Sequence, residues 1–438
     1  MEATEQQNKQ EYFKESSRKS IVDLNDDCLE EIFSYFSIEE LVELDKVCPR
    51  FRNVADEYFY RKQEVLEIFR DRHSSAVVAD LAERVGPHVT TLRISIHIHY
   101  DSFQIIRNIG FFRTLHVDYL KPLWIHCINL EHLITKEFEL GVHLEFLKTV
   151  FKNLKSVKLI NCELTDEIGE YLKTASKLES LSLRGNFMIS GSILPALKDQ
   201  LKEIDLRGCT YVLEGPYFGQ FCRKNLKLES LLFDFPSDWV IEYLDELKNL
   251  RCLRIEKVWV AISSPKVLGL PKLTLLEISG IANNDWNALI NHLGNSLEYL
   301  NICLIIFRNI EYIDFLPKMT KLKVFKVMHY CFKDSDLLSM NTESRKTLEH
   351  LEISGSNEIT DEGLLKCLKD CPNIRKLGIF SCWNITDALI IGLLPILKER
   401  PHTLEIYTRG TGISKSIEKK LQLQENRKFK LNWTYLLE

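Results

Sequence analysis

Residues 371–394, CPNIRKLGIFSCWNITDALIIGLL, hold the pattern that decides the fold of this 438-residue chain. Ile374, Leu377 and Ile379 make a phrase: apolar, two variable, apolar, one variable, apolar. Apolar residues at alternate positions put one face of a short strand inward. Three positions after Ile379 stands Cys382, placed to bond the loop backbone as the chain turns away. Thr386-Asp387 then suits the start of a helix, where side-chain oxygens satisfy free N–H groups.

The same phrase runs through most of the chain. Clear copies start at Leu154, Leu178, Leu201, Leu228, Leu250, Leu273, Leu297, Leu322, Leu348 and Ile374, at spacings of 22 to 27 residues. Weaker copies start at Val89, Phe112, Leu130 and Pro401, which makes fourteen phrases at a mean period of 24 over 312 residues. The position after the turn is Cys162, Asn186, Cys209 and Cys382 in four copies, and Thr165-Asp166, Thr360-Asp361 and Thr386-Asp387 follow in three. Each intervening segment is long enough for a crossover back to the next parallel strand. No single repeat buries its own apolar face, so neighbours must stack. The period lies in the range of leucine-rich repeats. The chain resembles such an array over about 350 residues, and 371–394 resembles its cysteine-containing subtype, which often accompanies an F-box.

Both ends of the array need closing. Phe429, Leu431, Trp433 and Tyr435 alternate with polar residues, so 426–438 is expected to hold a capping strand, with a tail contacting the target as the alternative. Residues 61–88 are expected to be a helical linker, with Val77, Val78, Leu81 and Val85 on one helix face.

Upstream, residues 24–51 read LNDDCLEEIFSYFSIEELVELDKVCPRF. Leu29, Ile32, Phe33 and Phe36 form one helical stripe, with Asn25, Asp26 and Asp27 available as caps. Ser37 and Glu40 make a capping box for a second helix that carries Leu41, Leu44 and Val47. Pro49 starts a third helix with Phe51, Val54, Ala55, Tyr58 and Phe59. A unit of about 40 residues is near the limit of independent stability. The stretch resembles an F-box, with Asn25 where that family usually has Pro and Phe51 where it usually has Trp. The resemblance implies docking to a Skp-family adaptor through Leu24, Leu29, Ile32, Phe33, Phe36, Leu41, Leu44, Val47, Pro49 and Phe51, and through that adaptor to cullin and RING subunits.

The expected architecture is therefore α/β. A flexible tail (1–20) and a three-helix F-box (21–60) precede a curved solenoid (89–425), with a parallel sheet on its concave face and helices on its convex face. Fifteen strands at about 4.8 Å would span roughly 65 Å, room for a protein ligand. Its inner face would present Lys158, Arg184, Arg207, Arg254, Glu277, Tyr299, Asn301, Lys326, Met328, Glu352, Lys376, Phe380 and Tyr407. Lys158, Arg184 and Arg207 would suit an acidic or phosphorylated ligand.

Charge and composition narrow the function. Residues 21–60 hold eleven acidic and three basic groups, a net −8, and 1–20 balance at zero. The total is −5, so the remainder carries +3, too little for a nucleic-acid surface. The polar first 20 residues lack a signal-peptide core, and Ala388 to Leu397 is too short to span a bilayer. A cytoplasmic or nuclear location is expected, with the twelve scattered cysteines as packed thiols. His97, His99 and Asp101 alternate along a strand, which separates the outer two by about 13 Å, too far for one metal. No cofactor and no membrane partner are expected, and catalysis is expected elsewhere. The F-box and leucine-rich-repeat resemblance implies a substrate-recognition adaptor of an SCF-type ubiquitin ligase. The alternatives are a repeat scaffold acting outside a cullin ligase and a metal-dependent enzyme centred on His97 and His99.

Overall fold

A computed structural model of the chain describes residues 20–44, 46–62, 64–95, 117–137, 140, 144–234, 238–258, 269–280, 293–304, 315–329, 331–417 and 429–434. The chain divides into two compact units, Met1–Asn153 and Leu154–Glu438.

The first unit begins with α1 (Asp26–Phe33), α2 (Ile38–Leu44) and α3 (Pro49–Lys62). Asn25 caps α1 by accepting the Cys28 N–H at 2.9 Å. Its φ of −68° is one that proline also adopts. The Ser37–Glu40 capping box forms as expected, with Ser37 N–H donating to Glu40 at 2.8 Å and Glu40 N–H to Ser37 at 3.3 Å. Leu29, Phe33, Leu41, Phe51, Val54, Ala55 and Phe59 are buried. Phe33 and Phe51 meet edge to face at 5.4 Å. The expected α1 stripe is cut short, because the helix stops at Phe33 and Phe36 lies beyond it, exposed.

Residues 61–88 differ from the helical linker expected. They contain strand β1 (Val65–Phe69) before helix α4 (Ser75–Val85). β1 pairs in parallel with β2 (Thr91–Ser95), Val65 facing Thr91. The phrase is incomplete here because its first position would be Gln63, and only Leu66 and Ile68 carry the inward face. β2 pairs directly with β3 (His132–Lys136), Thr91 facing His132. The strand expected from Phe112 therefore does not stand between them, and that phrase lies outside the described residues apart from its last turn into α5 (Val117–His126).

The second unit is one ladder of parallel strands in chain order. They are β4 (Ser156–Ile160), β5 (Ser180–Ser182), β6 (Glu203–Asp205), β7 (Ser230–Asp234), β8 (Cys252–Val258), β9 (Leu275–Gly280), β10 (Tyr299–Leu304), β11 (Val324–Met328), β12 (His350–Ser354), β13 (Lys376–Phe380), β14 (Leu404–Arg409) and β15 (Phe429–Asn432). The phrase residues point inward, Val157, Leu181, Ile204, Leu231, Leu253, Leu276, Leu300 and Phe325 all at 0 % exposure. Register holds from strand to strand: Glu277 faces Asn301, Asn301 faces Lys326, and Lys326 faces Glu352. At the C-terminal end Leu404 faces Phe429. Trp433 lies past β15, and Tyr435 lies outside the described residues.

Polar side chains bind each repeat to the next. Asn186, fully buried, accepts the N–H groups of Cys162 and Leu164 and donates to the carbonyls of Leu159 and Leu183. Cys209 Sγ donates to the Leu183 carbonyl at 3.0 Å, the bond expected of that position. The Thr-Asp pairs do more than start helices. Thr360 and Thr386 cap Asp361–Asp370 and Asp387–Glu399. Meanwhile Asp334 holds the backbone and hydroxyl of Thr360, Asp361 those of Thr386, and Asp387 those of Ser414. Thr165 is not such a cap, since its helix starts later, at Ile168. Asp166 instead staples Ser190 and Ser192 of the following repeat. Ahead of strands, Asn249 and Asn373 donate to the carbonyls of Leu226 and Lys346, and Asn341, the N-cap of the helix Thr342–Thr347, donates to that of Pro317.

Candidate protein-interaction surfaces

The ten residues expected to form the docking face in the first unit separate into two groups. Leu29, Phe33, Leu41 and Phe51 are at most 4 % exposed and pack the three-helix core. Ile32 and Leu44 are half-buried, while Leu24, Phe36, Val47 and Pro49 are exposed. Tyr35, which the helical stripe did not select, is 83 % exposed, and Val47 is 62 % exposed. With Leu24 and Phe36, they make four large apolar side chains that the three-helix module leaves exposed.

A groove of about 380 Å³ lies between α2 and α4. Val42, Leu44, Val47, Val77 and Leu81 give it an apolar lining, and Glu39, Glu40, Glu43 and Asp80 supply carboxylates. One wall is pinned by His73, which is 5 % exposed. Phe69 N–H donates to His73 Nδ1 at 3.0 Å, so the ring proton sits on Nε2 and is donated to Glu39 at 2.6 Å. Tyr119 Oη donates to the His73 carbonyl at 2.9 Å. Partial burial raises the Glu39 carboxyl, but hydrogen bonds from its own backbone N–H, His73 and Ser37 outweigh this and hold it below the ordinary value. Arg50 ties down the approach to α1, donating to the carbonyls of Val22 and Leu24 and to Asp26 at 2.8 Å.

In the second unit the variable strand positions line one sheet face, but its charges are largely engaged. Arg207 is clamped by Asp205 at 2.9 Å and Glu256 at 2.6 Å. Its hydrogen bonds to Asp205 outweigh desolvation and raise its pKa. Arg254 meets Glu277 at 3.2 Å. Lys326 is buried, 3.8 Å from Glu352 and over the Tyr299 ring at 5.8 Å. Tyr407 donates to Glu405 at 3.1 Å. The Phe380 ring lies against Gly378, where a Cβ would come within 2.9 Å of Phe380 Cε2, and is only 3 % exposed. Asn301 is half-buried, and Met328, Lys376 and Arg184 are exposed. The basic trio expected for an acidic ligand thus loses Arg207, whose charge Asp205 and Glu256 already balance.

Among the described residues no group of three His, Cys, Asp or Glu side chains is placed to hold a metal, and no helix is long and apolar enough to cross a membrane. His97, His99 and Asp101 lie outside the described residues. All twelve cysteines are free. Burial pushes the thiols of Cys127 and Cys209 up to about 12 and that of Cys382 up to about 11, which makes them poor nucleophiles.

Residues 21–62 match the F-box domain family. No curated protein matches the chain. Among solved structures, a chain of the Rad7–Elc1 complex from yeast is similar at 15 % identity, with 95 % of this chain and 98 % of that one covered and a TM-score of 0.49. A leucine-rich-repeat protein of Leptospira interrogans is similar at 15 % identity, 82 % and 92 % coverage and a TM-score of 0.42. An internalin of Listeria monocytogenes is similar at 13 % identity, 76 % and 93 % coverage and a TM-score of 0.37.

Proposed function

We propose that this F-box/leucine-rich-repeat protein, its F-box domain at residues 21–62, is a substrate-recognition adaptor of an SCF-type ubiquitin ligase. The observation that carries the reading is the set of large apolar side chains left exposed on the F-box, Leu24, Tyr35, Phe36 and Val47. Tyr35 and Val47 stand exposed on a module whose own core is closed by Phe33 and Phe51. In this reading a Skp-family adaptor covers Leu24, Tyr35, Phe36, Leu44, Val47 and Pro49. Leu29, Phe33, Leu41 and Phe51 hold the shape it binds. Cullin and RING subunits follow through that adaptor. The repeat face holds a protein target, and ubiquitin transfer belongs to the other subunits. The chain supplies proximity, which raises the effective concentration of a target lysine. The free thiols suit a reducing compartment, the cytosol or nucleus.

The test is affinity capture from cells with mass spectrometry, comparing wild type with Tyr35→Ser/Val47→Glu. Both substitutions fall on exposed positions and leave the core intact. The adaptor, cullin and RING subunits should vanish from the double variant while other partners persist. Adaptor capture by both forms would sink the docking surface. Adaptor without cullin in the wild type would favour a scaffold outside a ligase.

A further inference from the structure

Two features meet at the ends of β4 to β6. The first is a pair of cations. Lys158 and Arg184 have no carboxylate partner among the described residues, while Arg207, Arg254 and Lys326 are each engaged by one. Lys158 faces Ser182 in register, two residues before Arg184 on the same sheet face. The second is an apolar ledge. Phe187, Met188 and Tyr211 are each more than half exposed, and Tyr211 bridges to the backbone at Ser190.

The turn that joins them is rigid. Gly185 has a φ of +77°, and a Cβ there would sit 1.7 Å from Asn161 Oδ1. A side chain there would have to displace the Asn161 amide, although Asn161 and Ser381 take the same left-handed turn in their own repeats. Asn161 N–H donates to the Arg184 carbonyl and Gly185 N–H to the Arg207 carbonyl, which fixes the strand end. The Asn186 side chain, with hydrogen bonds to the backbone of Leu159, Cys162, Leu164, Leu183 and Arg184, anchors the turn, and Phe187 and Met188 follow it in exposed positions.

We propose that this corner of the repeat array binds an unmodified acidic peptide segment with a bulky apolar side chain beside its carboxylates. A carboxylate suits the planar guanidinium of Arg184, which binds it through two parallel N–H bonds. Lys158 adds a second positive charge along the sheet. The apolar side chain covers Met188 and the rings of Phe187 and Tyr211, using a flexible thioether and rigid aromatics together. The clamp on Arg207 keeps it out of the contact. This inference rests on the proposed recognition role and names the ligand class of that face.

The test uses full-length protein and a fluorescein-labelled peptide, Glu-Asp-Leu-Phe-Asp-Glu, read by polarisation. Binding should weaken as ionic strength rises, because the pair is solvent-facing. Lys158→Glu/Arg184→Glu should lose at least about tenfold in affinity, and Phe187→Ala/Met188→Ala a similar factor. Lys366→Glu, an exposed lysine on the helix Asp361–Asp370 and off the sheet face, should change nothing. Unchanged binding by the charge-reversed variant, equal binding of a Lys/Arg version of the peptide, or binding only after a phosphoserine is added would each overturn the proposal. Adaptor capture from the same preparations separates the two readings. Its loss with peptide binding intact removes the ligase role alone, and the converse removes only the peptide site.

Discussion

The F-box and the C-terminal repeats stabilise themselves by opposite strategies. In the F-box the caps close over three residues: Asn25 to Cys28, Ser37 to Glu40. Of its long-range polar ties, Arg50 to Asp26 and Arg61 to Glu30 stay within the module, and Glu39 reaches His73 just beyond it. In the repeats the polar bonds leap one whole repeat, from Asp334 to Thr360, from Asp361 to Thr386 and from Asp387 to Ser414. In the repeats the phrase residues, Val157, Leu181 and Ile204 among them, are buried between neighbours. In the F-box Tyr35 and Val47 stay exposed. On the proposed reading, the F-box surface is a docking face and the repeat surface a rigid frame for target contacts.

The strongest way to break the contrast is at Phe33. Truncation to alanine removes its ring contact with Phe51 and should cost about 3–5 kcal/mol, enough to unfold a small module. Limited proteolysis should then cut within 21–62 while the repeats stay resistant. Cleavage throughout the chain would show that the F-box is no separate unit of stability. Asp361→Ala tests the other side. It strips the acceptors from the Thr386 backbone and hydroxyl and should cost about 1–3 kcal/mol. Hydrogen exchange should accelerate in 331–417 first, and protection lost only at the mutated turn would argue against a coupled ladder.

Smaller effects sharpen the same comparison. Asn25→Ala removes the α1 cap and should cost about 1 kcal/mol. Asn25→Pro keeps a compatible φ of −68° and should cost less. Equal losses on thermal melting would mean that the cap bond carries nothing. The smallest effect is the acid limb. The Glu39 carboxyl is held below its ordinary value of 4.5, so its bond to His73 contributes stability above that pH. That contribution is lost as pH falls through the lowered folded value. Glu39→Gln should flatten the stability curve below about pH 4.5. An unchanged acid limb would remove Glu39 from the account.

Much of this was legible in residue order. Ser37 and Glu40 announced their capping box, and Leu154 through Ile374 announced the strands, because both signals are local and periodic. Asn186, Cys209 and Cys382 were visible as turn positions for the same reason. β1 was not, because Gln63 replaces the first apolar residue of its phrase and two inward side chains are too few to count as a period. Nor were the roles of the aspartates. Asp361 precedes Thr386 by a whole repeat, and only stacking brings them within 2.6 Å.

By itself the sequence determined the repeat, its period, the F-box helices and most of their caps, since each follows from which residues alternate or recur within a turn. Tertiary structure decided what remains free to act. It closed Leu29, Phe33, Leu41 and Phe51 inside and left Tyr35 and Val47 out. It clamped Arg207 between Asp205 and Glu256 and left Arg184, Phe187 and Met188 exposed. Burial and charge pairing depend on neighbours brought from other repeats, and residue order alone does not say how close those neighbours come.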